Sequence, residues 1–193
     1  MGPWEMTKYL GVIAEDSSDV AVIEECVKKV WKGKGWRIRA FAENGGDTIE
    51  RKCKVWSALL KRQGCRHLII VRDLDRRDPG DVRRRLQDAS TPNPISSRVI
   101  VIPVQAIEAW LLADEDALRS VFNIRERLRA IPNPEGLLDP KTELKRLVYN
   151  RSGKRREYIN TAHNGRIAAA AVLSKLRRCA SFRPLEDYLR DAG

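Results

Sequence analysis

Apolar and polar positions alternate between strand-like and helix-like spacing along the first half of the chain. Tyr9-Leu10-Gly11-Val12-Ile13-Ala14 is an apolar run of strand length. Ser17 or Ser18 can cap a helix running to about Lys32, with Val20, Ile23, Val27 and Val30 at helical spacing, and Gly33-Lys34-Gly35 ends it. Trp36-Arg37-Ile38-Arg39-Ala40-Phe41 alternates as a half-buried strand does, and Glu43-Asn44-Gly45-Gly46-Asp47 reads as a loop. A helix from Thr48 to Arg62 carries Ile49, Cys53, Trp56 and Leu60 on one face and is capped by Gly64. The third strand starts near Arg66 and continues through His67-Leu68-Ile69-Ile70-Val71. Pro79 belongs to the first turn of a helix reaching about Ala89, and Thr91-Pro92-Asn93-Pro94 is a turn. The fourth strand begins near Arg98 and holds Val99-Ile100-Val101-Ile102-Pro103-Val104.

Strands alternating with helices predict a three-layer α/β fold with a mainly parallel sheet. Beyond Glu108 the pattern turns helical over 108–121, 140–150, 162–178 and 184–191, with Ile131-Pro132-Asn133-Pro134-Glu135-Gly136 as the clearest loop. The expectation is a single domain over residues 1–193, with an α/β core at about 7–115 and a helical, basic extension at about 116–193.

Three acidic clusters stand just past apolar runs. Glu15-Asp16-Ser17-Ser18-Asp19 follows the first, Asp73-Leu74-Asp75 the third, and Glu108, with Asp114 beyond it, the fourth. In an open parallel sheet such positions converge at one edge, where these folds place ligands. Converging carboxylates suit a hard cation such as Mg²⁺. Glu15 is either a metal ligand or base, or a carboxylate that only favours a helix N-terminus. Asp19, one helical turn on, shares a cation with it or faces solvent, and Asp16 reads as a cap-region residue. Asp73 and Asp75, two apart on an extended chain, would point the same way with Leu74 packing behind. Arg72, Arg76 and Arg77 could neutralise them instead in a salt-bridge network. Glu108 could equally be a first-turn glutamate of a core helix, with Trp110 in the core.

The chain of 193 residues is 42% hydrophobic, enough for a sizeable core, and carries a net charge of +11. That excess fits a polyanionic partner, through release of counterions from phosphates. It is uneven: residues 116–193 hold 17 Lys and Arg against 9 Asp and Glu. In that part Lys141, Lys154, Arg155, Arg156 and His163 are candidate nucleic-acid contacts, against the plainer reading of solvated charges and a structural histidine. Cys26, Cys53, Cys65 and Cys179 form no C-x-x-C pair and only two histidines exist, which argues against structural zinc. Dispersed cysteines fit a reducing cytoplasm. No apolar stretch reaches the ~18 residues of a membrane span. No G-x-G-x-x-G follows the first strand, which argues against a dinucleotide enzyme.

A glutamate after the first strand, a D-x-D after the third and a glutamate after the fourth together resemble the Toprim fold of topoisomerases, primases and the overcoming-lysogenization-defect nucleases. More closely, Val71-Arg72-Asp73-Leu74-Asp75-Arg76, Ile107-Glu108-Ala109-Trp110-Leu111-Leu112-Ala113-Asp114, Asp139-Pro140-Lys141 and Cys179-Ala180-Ser181-Phe182-Arg183-Pro184-Leu185 resemble the Toprim-like domain-of-unknown-function 4276 family. The resemblance implies a Mg²⁺- or Mn²⁺-dependent nuclease. Its metal ligands would be Glu15, Asp19, Asp73, Asp75 and Glu108, and its catalytic set Glu15, Asp73, Asp75 and Lys141. It also implies an ATPase partner and a role in phage defence. Two departures stand out: Asp16 replaces the glycine usual after the first glutamate, and Asp19 replaces a glutamate. The alternative is a non-catalytic subunit that binds nucleic acid or an ATPase. A receiver-like switch is disfavoured, because Pro103-Val104-Gln105 stands where a hydroxyl residue belongs.

Overall fold

The structure is a computed structural model that describes residues 8–32, 35–43 and 45–192. Gly33 and Lys34, at the expected end of the first helix, and Asn44, in the expected loop, lie outside the described residues. Strand β1 (Lys8–Ala14) leads through helix α1 (Ser17–Val30) to β2 (Trp36–Ala42). Helix α2 (Gly46–Arg62), β3 (Cys65–Val71), α3 (Pro79–Ala89) and β4 (Ser97–Val101) follow. The four strands form one parallel sheet in the order β2-β1-β3-β4, so the α/β class read from the sequence is the observed one, and it is consistent with a Toprim-like arrangement. The chain's direction of travel reverses between β1 and β3, and parallel sheets open a crevice past the strand ends at such a point.

The strand periodicity sorts residues into two layers. Leu10, Val12, Ala14, Ile69, Val71 and Val101 enter one apolar cluster with α1, while Ile13, Leu68 and Ile70 enter the other with α2 and α3. A fully buried Leu, Ile or Val contributes about 1.5–3 kcal/mol, so this two-sided burial fixes strand register as well as stability. Gly11 lies where α2 crosses β1. A Cβ there would come within 2.9 Å of Leu60 Cδ1 and 3.3 Å of Leu68 Cδ1.

The expected C-terminal helices are present: α4 (Glu108–Leu112), α5 (Glu115–Phe122), α6 (Pro140–Arg151), α7 (Asn160–Ala170), α8 (Leu173–Leu176) and α9 (Arg183–Ala192). They do not hang off the core. Leu144, Val148, Ile167, Leu185 and Leu189 belong to the same apolar cluster as α1 and β1. Helix α7 approaches α1 through Gly165, where a Cβ would stand 3.1 Å from Ala21 Cβ. No helix among the described residues is long and apolar enough to cross a membrane.

Two helices expected to be continuous are broken, and one side chain joins both breaks. The segment 108–121 divides at Ala113 and Asp114, because the Asp114 carboxylate caps α5, accepting from Asp116 N and Ala117 N at 3.1 Å. The segment 162–178 divides at Ala171 and Val172, and Val172 N donates to the other Asp114 oxygen at 2.8 Å. Asp114 is buried and fully used in this way, so it is a structural residue of the joint. The first helix also starts differently from the expectation. Asp16, rather than Ser17 or Ser18, is the cap of α1, accepting from Ser18 N at 2.6 Å.

Candidate functional site

The C-terminal edge of the sheet opens into a cleft of about 410 Å³. Glu15, Asp19, Asp73, Asp75 and Glu108 all line it, together with Arg76, Gln105, Lys141 and Asn160. They arrive from separate parts of the chain, Asp73 and Asp75 together on the connection after β3. Glu15 ends the β1 turn, Asp19 occupies the first turn of α1, and Glu108 opens α4. Glu15 precedes the α1 cap, so it meets Asp19 across the strand-to-helix corner rather than along one helical turn.

The expected strand geometry of Asp73 and Asp75 is corrected. β3 stops at Val71, and Asp75 and Arg76 adopt left-handed φ values of 50° and 61°. Both aspartates still face the cleft, because the segment stays laced to the chain leaving β4. Leu74 N donates to Pro103 O at 3.0 Å, Asp75 N to Gln105 O at 3.1 Å, and Arg76 N to Gln105 Oε1 at 2.9 Å. Gln105 is itself left-handed, with φ 62°. Non-glycine residues in this region cost energy, so three of them beside one cleft mark a backbone shaped by the site. Leu74 packs behind, in the α2–α3 cluster, as expected.

The electrostatics are those of like charges forced together. Burial and then the Asp75 charge push the Glu15 carboxyl up to about 7, against a lowering by Arg72. Burial, then Glu108, Asp16 and Glu15, push Asp19 up to about 8. Asp73 is raised well above its ordinary value by burial and then by Asp19, Glu108, Glu15 and Asp75. Its Oδ1 accepts from Ile107 N at 3.0 Å, which ties it to the start of α4.

Several partners lack any mark in the local sequence. Tyr158 Oη donates to Glu108 Oε1 at 2.8 Å, and Asn164 Nδ2 reaches the same oxygen at 3.4 Å. The Tyr158 hydroxyl is also bonded to Asn164 Oδ1. Asn160 Nδ2 bonds Asp16 Oδ2 at 3.2 Å, so the chain entering α7 braces α1. Arg72, the largest buried cation, places Nε 3.7 Å from Glu15 Oε1 and is ion-paired with Glu50.

Lys141 is exposed on the rim, in the first turn of α6, whose cap Asp139 accepts from Thr142 N at 2.9 Å. Lys154, Arg155 and Arg156 are exposed on the connection that delivers Tyr158 and Asn160, but they do not line the cleft. His163 lies outside the cleft lining as well. Its Nδ1 meets Ile159 N at 3.0 Å, and its ring stacks 4.8 Å from Phe122, a helix-start and packing role. Trp110 is wholly buried, donates Nε1–H to Ser181 Oγ at 2.8 Å and packs edge-on against Phe182 at 5.2 Å. The Glu108–Asp114 and Cys179–Leu185 segments thus form one joint beneath the cleft.

The donor set fits a hard divalent cation in chemistry: five carboxylates, with Glu15 Oε1 buried and, among the described residues, without a hydrogen-bond partner. Among the described residues no three such side chains are already closed into a metal-ion site. No curated protein and no solved structure matches the chain. A family described as a domain of unknown function (DUF4276) matches residues 14–190, a span that contains every carboxylate of the cleft and both halves of the joint below it. The chain therefore belongs to the DUF4276 family.

Proposed function

We propose that the chain is a Mg²⁺- or Mn²⁺-dependent nuclease that hydrolyses phosphodiester bonds of RNA or DNA. The observation that carries this reading is the convergence of Glu15, Asp19, Asp73, Asp75 and Glu108 on one cleft, in a chain of net charge +11. A fold keeps mutually repelling carboxylates, most of them wholly or partly buried, where a cation will join them, and strongly perturbed titrating groups concentrate at functional sites. Asp73 and Asp75 would hold the cation, with Asp19, Glu108 and Glu15 completing its shell. When bound, the cation neutralises phosphate charge and lowers the pKa of water. Glu15, pushed up to about 7 in the metal-free protein, would give up its proton as the cation arrives and would then complete the shell or act as the base. Lys141 would meet a phosphate on the rim, and Lys154, Arg155 and Arg156 would hold the backbone farther out. His163, braced at the start of α7, would contact it only from the edge of that surface. The free, buried cysteines suit a reducing cytoplasm, and the Toprim-like resemblance adds an ATPase partner and phage defence to the proposal.

A second reading is a binding subunit that keeps the fold without turnover. It is favoured by the lack of a ready-closed metal-ion site among the described residues and by Asp16 serving as the α1 cap. A cleavage assay on transfer RNA, single-stranded DNA and supercoiled plasmid separates the two. Cleavage with Mg²⁺ or Mn²⁺ that disappears with chelator and in Asp73→Ala supports the nuclease. Binding without cleavage by folded protein, with and without an ATPase partner, supports the subunit.

A further inference from the structure

The first turn of α2 meets Arg72 at the edge of the cleft, and among the described residues the Arg72 guanidinium is only partly used. Helix α2 is 17 residues long and its cap, Gly45, offers no side chain to the first amides. Gly45 has φ +96°, which other residues resist, and a Cβ there would meet nothing nearer than Thr48 Oγ1 at 4.0 Å. It lines the cleft, so the positive end of the helix dipole opens onto it.

Arg72 supplies the second, independent observation. Its side chain is 1% exposed, its Nη1 is taken by Glu50, and among the described residues its Nε and Nη2 make no hydrogen bond. Buried N–H groups are nearly always satisfied, so two orphans on one guanidinium call for an acceptor that has yet to arrive. The orphan Nη2 faces the Asp47 carboxylate in the first turn of α2 at 3.5 Å, and Arg77 Nη1 reaches the same oxygen at 3.4 Å. Charge-assisted N–H···O bonds normally close to about 2.7–2.9 Å, so this carboxylate is a loose fit. Asp47 is also 72% exposed and free to turn out to water.

We infer that the N-terminus of α2, with Arg72 and Arg77, is a phosphate subsite beside the carboxylate cleft, held in this structure by the chain's own Asp47. A phosphate brings more acceptor oxygens than a carboxylate and suits two guanidinium forks and a helix N-terminus together. Arg72 links this subsite to the cleft, since its other orphan, Nε, faces Glu15. Taken as the seat of a substrate phosphate next to the one cleaved, the subsite rests on the nuclease reading. Its affinity for phosphate does not.

The test is calorimetric titration of the full chain with inorganic phosphate, in chelator and at fixed low ionic strength. Asp47→Asn removes the internal competitor and binds phosphate several-fold tighter. Arg77→Gln, at a half-exposed position, binds several-fold weaker, and the double variant loses the gain. Asp81→Asn, which removes the same charge elsewhere on the surface, leaves affinity unchanged. Equal gains in Asp47→Asn and Asp81→Asn would reduce the effect to net charge and overturn the subsite, as would no response to Asp47→Asn. The titration needs neither metal nor turnover, so a negative result leaves the cleavage assay intact, and a silent cleavage assay leaves a positive titration standing.

Discussion

Glu186 on α9 and Asp19 on α1 are almost equally buried, at 4% and 6% exposure, yet their carboxyls move in opposite directions. Glu186 is drawn down to about 2 by hydrogen bonds from Arg177, with Arg190 adding to the pull. The Arg177 fork closes on it at 2.6 and 2.7 Å, and Arg190 at 2.7 and 3.2 Å. Asp19 is pushed up to about 8, by burial and then by Glu108. Burial alone raises any carboxyl, and a paired cation or hydrogen bonds donated to the carboxylate lower it. The protein has arginines to spare and gives two of them to Glu186, while at the cleft Arg72 Nε stops 3.7 Å from Glu15 Oε1 and Arg76 and Lys141 lie on the lining without closing on Asp19 among the described residues. Charge satisfied internally marks a stabilising contact. Charge left unsatisfied at a cleft marks a site whose missing partner comes from outside.

The largest expected effect tests that contrast directly. Asp73→Asn keeps an oxygen for Ile107 N but replaces a carboxyl that burial and the surrounding carboxylates hold well above its ordinary value. Metal-dependent cleavage falls below detection, and the protein without metal becomes more stable by about 1 kcal/mol, ~2–4 °C in melting temperature for a domain of this size. A variant that melts below the wild type would show that the cleft carboxylates are already compensated. Glu186→Gln has the opposite profile. It loses about 1–3 kcal/mol of stability, because charge-assisted bonds disappear, and it keeps its activity below the melting range. The loss stays modest because Arg177 and Arg190 are 46% and 53% exposed and can turn to water. Calorimetry on the two variants together gives melting shifts of opposite sign.

The same pair separates with pH. Glu15 and Asp19 have folded pKa values of about 7 and 8, above their ordinary 4.5 and 3.8. The folded state therefore holds more protons than the unfolded chain in that window, and these groups lower stability as pH rises from about 4 to 8. Glu186 is depressed from 4.5 to about 2, so its contribution is present above pH 4.5 and fades as pH falls toward 2. Metal-free protein has its stability maximum on the acid side of neutrality. Added Mg²⁺ flattens the decline toward pH 8, because a cation replaces the proton. A decline that Mg²⁺ leaves untouched would remove the cation from the cleft.

Much of this contrast was legible before any coordinates. The strands show in their apolar runs, since each strand face enters a separate layer and period-two patterning has no other use. The cleft carboxylates show in their position, just past those runs. What sequence could not reveal is carried by distant partners. Arg72 reads as a possible salt-bridge partner of Asp73 and Asp75, and its burial against Glu50, 22 residues away, has no local sign. Asp114 looks like part of an acidic site, yet its oxygens go to α5 and to Val172, 58 residues on. Tyr158 is unremarkable in its segment and becomes informative only 50 residues from Glu108. Left-handed Asp75 and Gln105 carry no glycine to announce them.

Tyr158→Phe gives the smallest shift and the finest division of the two regions. Glu186 is held by guanidinium groups and Glu108 by neutral donors, so Glu108 keeps its charge available for a cation. Both donors, Tyr158 Oη and Asn164 Nδ2, end on Oε1, and among the described residues no hydrogen bond to the Glu108 side chain uses Oε2. Phenylalanine preserves the ring packing in the buried cluster and removes one hydroxyl, shared between Glu108 Oε1 and Asn164 Oδ1, a loss of about 1 kcal/mol in stability. Asn164 remains to hold the carboxylate, so the cleft keeps its shape but positions Glu108 less firmly. Apparent affinity for Mn²⁺ then weakens while maximal cleavage at saturating Mn²⁺ returns toward the wild-type rate. A fall in the saturated rate with unchanged metal affinity would place Tyr158 on the substrate instead, and a stability loss alone would make it a core residue like Trp110.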